Sequence, residues 1–314
     1  MEYIYLLICL VAIVFSADWL VAGAVTIAKR FKISDFVIGA VIVGVGTSFP
    51  ELVVSSIGAF EGNSDIALGN VIGSNIFNVF GILGLTAIIM PVAVSRENRR
   101  FDLPLCIGVS VLTMLLTFNL FLGGDAVLGR IDGLILLALF VLFMYKSLKG
   151  NKKQETVSDE VVTNKRLILG VAMVVGGLAS LIIASRFFLD NAILIAKAWG
   201  VNEAFISITL VACGTSLPEL AASLVAAAKK NTQLALGNVV GSNIFNLTLI
   251  LGTASQITPL TSSGITAIDY AVMIFAGAAP LLLGCKGKLN RWAGALLFLC
   301  FVAYNVYLIS MQMN

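Results

Sequence analysis

Apolar residues in this chain come in long blocks, and polar residues gather in short clusters between them. Blocks at roughly 3–28, 36–60, 66–90, 102–122, 127–147, 167–197, 203–228, 234–257, 265–284 and 291–311 each suffice to cross a hydrocarbon core of about 30 Å, which takes a helix of about 20 residues. Hydrocarbon offers no water to a backbone N–H or C=O, so a span must satisfy these groups itself, as a helix does. The pattern predicts an all-α membrane protein with ten transmembrane helices. The first block carries Asp18 and Trp19 and lacks a basic start, so it reads as a span and not as a cleavable signal peptide.

Polar residues inside the blocks repeat. GTSFPEL at 46–52 returns as GTSLPEL at 214–220, and LGNVIGSNIFNV at 68–79 returns as LGNVVGSNIFNL at 236–247, all at an offset of 168 residues with no insertion. Each copy holds five spans. An odd number makes the second copy enter the membrane from the opposite side, so the chain is expected to be two inverted five-helix repeats. Residues 1–148 form the first repeat, with its motif at 44–79. A polar linker follows at 149–166, and residues 167–314 form the second repeat, with its motif at 212–247. Inverted repeats are an architecture of secondary transporters.

Composition agrees with a membrane protein: 59% of residues are hydrophobic and 12% charged, and the mean hydropathy is +1.01. The net charge of +3 gains meaning only when mapped onto loops. With the 149–166 linker in the cytoplasm, all 20 basic residues except Arg130, Arg186 and Lys197 fall on that side. The chain is expected in the plasma (inner) membrane, and the positive-inside rule then places both termini outside, in the periplasm or extracellular space. The basic loops are topology signals, not nucleic-acid patches. The five cysteines are scattered and no histidine is present. A disulfide frame or a zinc site is therefore not expected.

A proline removes one helical hydrogen bond and clashes with the preceding turn, so Pro50 and Pro218 should free backbone carbonyls near Gly44 to Thr47 and near Ala212 to Thr215. Ser48 and Thr47 precede Glu51 by three and four positions, a spacing that predicts both on the carboxylate's face. The same holds for Ser216, Thr215 and Glu219. Carboxylate, hydroxyl and carbonyl are hard oxygen ligands suited to Ca²⁺ or Na⁺. Two ionised carboxylates in the bilayer carry −2 together, at an insertion cost of at least ~2.5 kcal/mol each. One Ca²⁺ or two monovalent cations balance that charge, which points to exchange. Asn70, Ser74 and Asn78 form a stripe at four-residue spacing, repeated by Asn238, Ser242 and Asn246, and should aim amides and hydroxyls at the carboxylates. Gly69, Gly73, Gly237 and Gly241 should press the third helix on the second and the eighth on the seventh. Asn75 and Asn243 fall off the stripe and should bond neighbouring helices. Asp18 faces Arg186 in the repeat alignment, and the two read as a snorkelling or structural pair. Asp132 and Asp190 read as boundary residues.

At these two motifs the sequence resembles the calcium/cation antiporter superfamily, on its prokaryotic Na⁺/Ca²⁺ exchanger branch. The resemblance implies Ca²⁺ bound by Glu51 and Glu219 with the carbonyls of Thr47 and Thr215. It implies Na⁺ at flanking sites involving Ser48, Ser216, Ser74, Ser242 and the carbonyls near Gly44 and Ala212. It also implies that the first and sixth helices slide as gates over the rest. Some relatives carry an aspartate where this chain has Asn246, the equivalent of Asn78, so K⁺ dependence stays open. H⁺ is an alternative counter-ion at the same glutamates. The transported ions are substrates, no further cofactor is expected, lipid is the surrounding medium, and one chain should suffice for transport.

A channel, an intramembrane enzyme and an inert scaffold are the competing classes. No acidic ring marks a pore mouth, and without histidine or paired cysteines an enzyme lacks a nucleophile with its base or a metal-bound water. The linker is too short for a regulatory Ca²⁺ domain and lacks EF-hand spacing.

Overall fold

The structure, a computed structural model, describes residues 2–119, 125–150, 162–199 and 212–312. The first half runs α1 (Glu2–Phe31), α2 in two pieces (Asp35–Thr47 and Phe49–Phe60), α3 (Ser64–Ile89), α4 (Asn98–Thr117) and α5 (Arg130–Gly150). The second runs α6 (Asn164–Ala198), α7 (Leu217–Ala228, preceded by a turn at Ala212–Gly214), α8 (Thr232–Ile257), α9 (Ala267–Leu283) and α10 (Arg291–Gln312). Among the described residues, seven of these helices are long and apolar enough to cross a membrane, and eight if the bent pieces of α2 count as one. The first part of the 203–228 block lies outside the described residues. Large side chains such as Trp292, Phe60 and Ile131 are more than three-quarters exposed, a surface that suits lipid and not water. The chain is an all-α, multi-pass membrane protein.

The offset of 168 is visible in the coordinates. The second piece of α2 (Phe49–Phe60) and α7 (Leu217–Ala228) match residue for residue. Asn63 and Asn231 cap the next helices by accepting from the N–H groups of Ile66 and Leu234, satisfying donors that a helix start leaves orphaned. Both central helices, α3 and α8, pass through a π-helical stretch, Phe77–Leu83 and Asn246–Ile250.

Short strands tie one half to the other: β1 (Val92–Ala93) pairs with β4 (Lys288–Leu289), and β2 (Val127–Leu128) with β3 (Leu260–Thr261). The central helices are joined by backbone contact as well. Gly237 and Gly241 of α8 face the backbone of Phe36 and Ala40 in α2, where a Cβ would have no room. This corrects the expected pairing of these glycines with α7. The halves interdigitate, so α8 closes on the helix of the opposite repeat. In the first half, Gly69 faces Ile265, and Gly73 has no neighbour within 4 Å among the described residues.

Candidate functional site: two buried carboxylates served from opposite halves

The site forms where α2 breaks. Its two pieces meet at 46°, with Ser48 at φ −83° and ψ 9° between them. The last backbone bond before the break is Ser48 N–H to Gly44 O, and the first after it is Leu52 N–H to Ser48 O. The Gly46 carbonyl still accepts a backbone N–H at the cap, whereas the carbonyls of Val45 and Thr47 have no continuing helix to bond them. Pro50 sits in the first turn of the new piece, where its missing N–H costs nothing. Ser216 repeats the break at φ −91° and ψ 12°, and Leu220 N–H bonds its carbonyl.

Both glutamates lie just past these breaks, fully buried. The serines serve them crosswise. Ser216 donates to Oε1 of Glu51 at 2.8 Å, and Ser48 donates to Oε1 of Glu219 at 2.8 Å. The spacing rule predicts each serine on its own carboxylate's face. It fails because Ser48 and Ser216 leave helical geometry, so the three-residue register does not carry across the break. Ser74 adds a longer contact to Glu51 Oε1, at 3.5 Å, and lies 3.2 Å from the Ser216 hydroxyl. The second oxygens, Oε2 of Glu51 and of Glu219, are buried and have no hydrogen-bond partner among the described residues.

Two asparagines brace the frame. Asn70 donates to the Glu51 carbonyl (3.2 Å) and to Ser55 (2.9 Å), while Asn238 donates to the Glu219 carbonyl (3.1 Å) and to Ser223 (2.9 Å). Their side-chain oxygens face the hydroxyls of Thr215 (3.5 Å) and Thr47 (3.3 Å). Thr47 also donates to the Val43 carbonyl at 3.0 Å. Sequence reasoning missed Ser55 and Ser223. They too are 168 apart, and that offset is the signal that finds them.

The remaining candidates divide. Ser242 donates to the Gly44 carbonyl at 3.2 Å and so departs from the part Ser74 plays. Asn78 gives its amide to Asn243 at 3.0 Å instead of to a carboxylate, and Asn243 passes its own to the Asn75 carbonyl at 3.2 Å. Asn243 thus bridges helices as expected, whereas the buried Asn75 side chain and both polar atoms of Asn246 have no partner among the described residues. Ala212 begins the short helical turn before Thr215. Asp132 accepts from Gly129 N–H at 2.8 Å at the start of α5, a boundary role. Among the described residues no three of His, Cys, Asp and Glu come together. A cation held here would use two carboxylates and neutral oxygens, a donor set suited to hard ions.

The chain matches the family described as sodium/calcium exchanger protein over residues 1–149 and 169–310. It belongs to that family. Relatives of this member include the putative antiporter CaxA of Alkalimonas amylolytica, 38% identical over 98% of both chains. Another is the sodium/calcium exchanger MaX1 of Methanosarcina acetivorans, 32% identical over 98% of both. Among solved structures, the sodium-calcium exchanger NCX_Mj soaked with zero Na⁺ and Ca²⁺ superposes with a TM-score of 0.86 at 30% identity, covering 98% of each chain. Family members named in this way are transporters, and this member is read as one of them, not as an enzyme.

Proposed function

We propose that the chain is an antiporter that exchanges Na⁺ for Ca²⁺ by alternating access at Glu51 and Glu219. One observation carries this reading: two fully buried carboxylates, each hydrogen-bonded on one oxygen by a serine of the other half and, among the described residues, unpartnered on the second. Removing a carboxylate from water costs several kcal/mol, and among the described residues neither is ion-paired. A cation between the free oxygens offsets that cost, with the Thr47 and Thr215 carbonyls and the Ser48, Ser216, Ser74 and Ser242 oxygens as further ligands. One Ca²⁺ or two Na⁺ satisfy the same pair, so loading one excludes the other.

The architecture in this reading is ten spans in two inverted repeats, 1–148 and 167–314. Both termini lie outside the plasma (inner) membrane and the 149–166 linker lies in the cytoplasm. α1 and α6 slide as gates across the remaining helices. The matched breaks at Ser48 and Ser216 and the placement of basic residues support it.

The test is uptake of radiolabelled Ca²⁺ into proteoliposomes loaded with Na⁺, compared with K⁺ or choline and with an outward proton gradient. Uptake that needs internal Na⁺ is expected. Uptake that follows the proton gradient alone would make the protein a Ca²⁺/H⁺ antiporter, and uptake with no counter-ion would make it a channel.

A further inference from the structure

The glutamates are not the only charged side chains on the apolar helices, and the repeat reveals a relation among four others. Asp18 lies in α1, and Lys229 caps the end of α7. The Nζ of Lys229 is 2.7 Å from Asp18 Oδ1 and also reaches the Asp18 carbonyl at 3.3 Å. The residues equivalent by the 168 offset are Arg186, in α6, and Glu61, which caps the end of α2. The signs are exchanged. In one pair α1 carries the acid and the end of α7 the base; in the other α6 carries the base and the end of α2 the acid. Both pairs are therefore attractive, but only one is made. Arg186 and Glu61 are exposed, and among the described residues neither takes part in an ion pair.

Two further observations give this asymmetry a meaning. First, α1 and α6 form one unit. Gly23 faces the Gly170 carbonyl and the Val174 N–H, and Gly177 faces the Leu20 N–H and the Ser16 carbonyl, contacts that only glycine permits at such close approach. Asp18 and Arg186 ride on that unit together. Second, the described residues around the carboxylates are packed more tightly on one face than on the other. Toward Lys229, Thr47 and Asn238 are fully buried, and α8 is closed on α2 at Gly237 and Gly241. Toward Glu61, the equivalents Thr215, Asn70 and Gly73 are partly exposed. Among the described residues, the ion pair that is made lies on the tightly packed face, and the one that is not made lies on the more exposed face.

We propose that Asp18–Lys229 and Arg186–Glu61 are reciprocal latches on the α1–α6 unit, the first made when the Lys229 face is closed and the second when the Glu61 face is closed. The proposal rests on the alternating-access reading above. Isolated pairs this exposed contribute little to stability, yet a switch between two near-equal states responds to small differences in favour of either. Because each state makes one pair and loses the other, neither conformation is favoured by the charges as a set.

The test measures the ratio of apparent Ca²⁺ affinities at the two faces in oriented proteoliposomes. Asp18→Asn should lower affinity at the Glu61 face relative to the Lys229 face, and Arg186→Gln should do the reverse, each by about two- to five-fold. The double variant should return near the wild-type ratio, and the exchanged pair Asp18→Lys with Lys229→Asp should restore it. If Asp18→Asn does not insert, Lys229→Gln tests the same contact. Neutralisations that shift the ratio in the same direction, or leave it unmoved, overturn the latches. A wild type without counter-ion-dependent flux would overturn the antiporter reading instead. In that case spin labels at residues 15 and 230 still test the Asp18–Lys229 latch: their distance distribution should broaden in Asp18→Asn, and an unchanged one overturns it.

Discussion

Glu51 and Glu219 hold the same place in two copies of one motif, yet Oε1 of Glu51 accepts from two serines, at 2.8 and 3.5 Å, and Oε1 of Glu219 from Ser48 at 2.8 Å. The difference traces to Ser74 and Ser242. The first turns to a carboxylate and the second to the Gly44 carbonyl, on the side where α8 is closed against α2. Around both glutamates the inner frame is conserved between halves: a serine from across, an asparagine on the carbonyl, a second serine behind the asparagine. The outer packing is not. Duplicated sequence thus preserves the contacts of each carboxylate, while the packing outside that frame differs between the halves.

The strongest way to break this comparison is to remove the carboxylates one at a time. Glu51→Gln and Glu219→Gln should each cut Ca²⁺ exchange by on the order of a hundredfold, the scale of leaving a buried charge without its partner. Flux measured side by side checks the equivalence, and a variant that retains wild-type flux removes its residue from the site. Next come the crossed serines. Ser48→Ala and Ser216→Ala each remove a hydrogen bond to a charged group, about 1.5–3 kcal/mol, so each should lower apparent Ca²⁺ affinity by about tenfold or more. Titration of the two variants sharpens the comparison, since any inequality reports what Ser74 adds on the Glu51 side.

The smallest effect concerns the packing. A Cβ at residue 241 would strike the backbone of Ala40, so Gly241→Ala should destabilise by about 1–3 kcal/mol through overpacking. At residue 73 no described atom lies within 4 Å. Gly73→Ala should stabilise slightly, by up to about 1 kcal/mol of helix propensity. Thermal unfolding in detergent distinguishes them, and a shift of the same sign in both would erase the contrast between the faces.

Much of this was legible in the sequence. Pro50 and Pro218 beside their glutamates marked the breaks. The buried carboxylates and the offset of 168 followed from spelling alone. The partners did not. The spacing of Ser48 and Glu51 implies a shared face only while the helix continues, and the break at Ser48 sends the hydroxyl to Glu219. The pairing of Asn78 with Asn243, the closure of Gly237 and Gly241 on α2, and the bond from Lys229 to Asp18 are all contacts between separate helices. Periodicity along one helix carries no information about them.

The crossed serines also set an order of events in the life of the chain. The contacts that complete the site join residues 142 to 171 positions apart, and pairings so distant form late because the loop between them must close first. Glu51 therefore enters the bilayer when the serine that will share its charge has not yet been synthesised. A chain that stops before Ser216 is left with a carboxylate in apolar surroundings that lacks its 2.8 Å donor and keeps the 3.5 Å contact from Ser74. Completion of the frame around the carboxylates and completion of the fold are therefore one step.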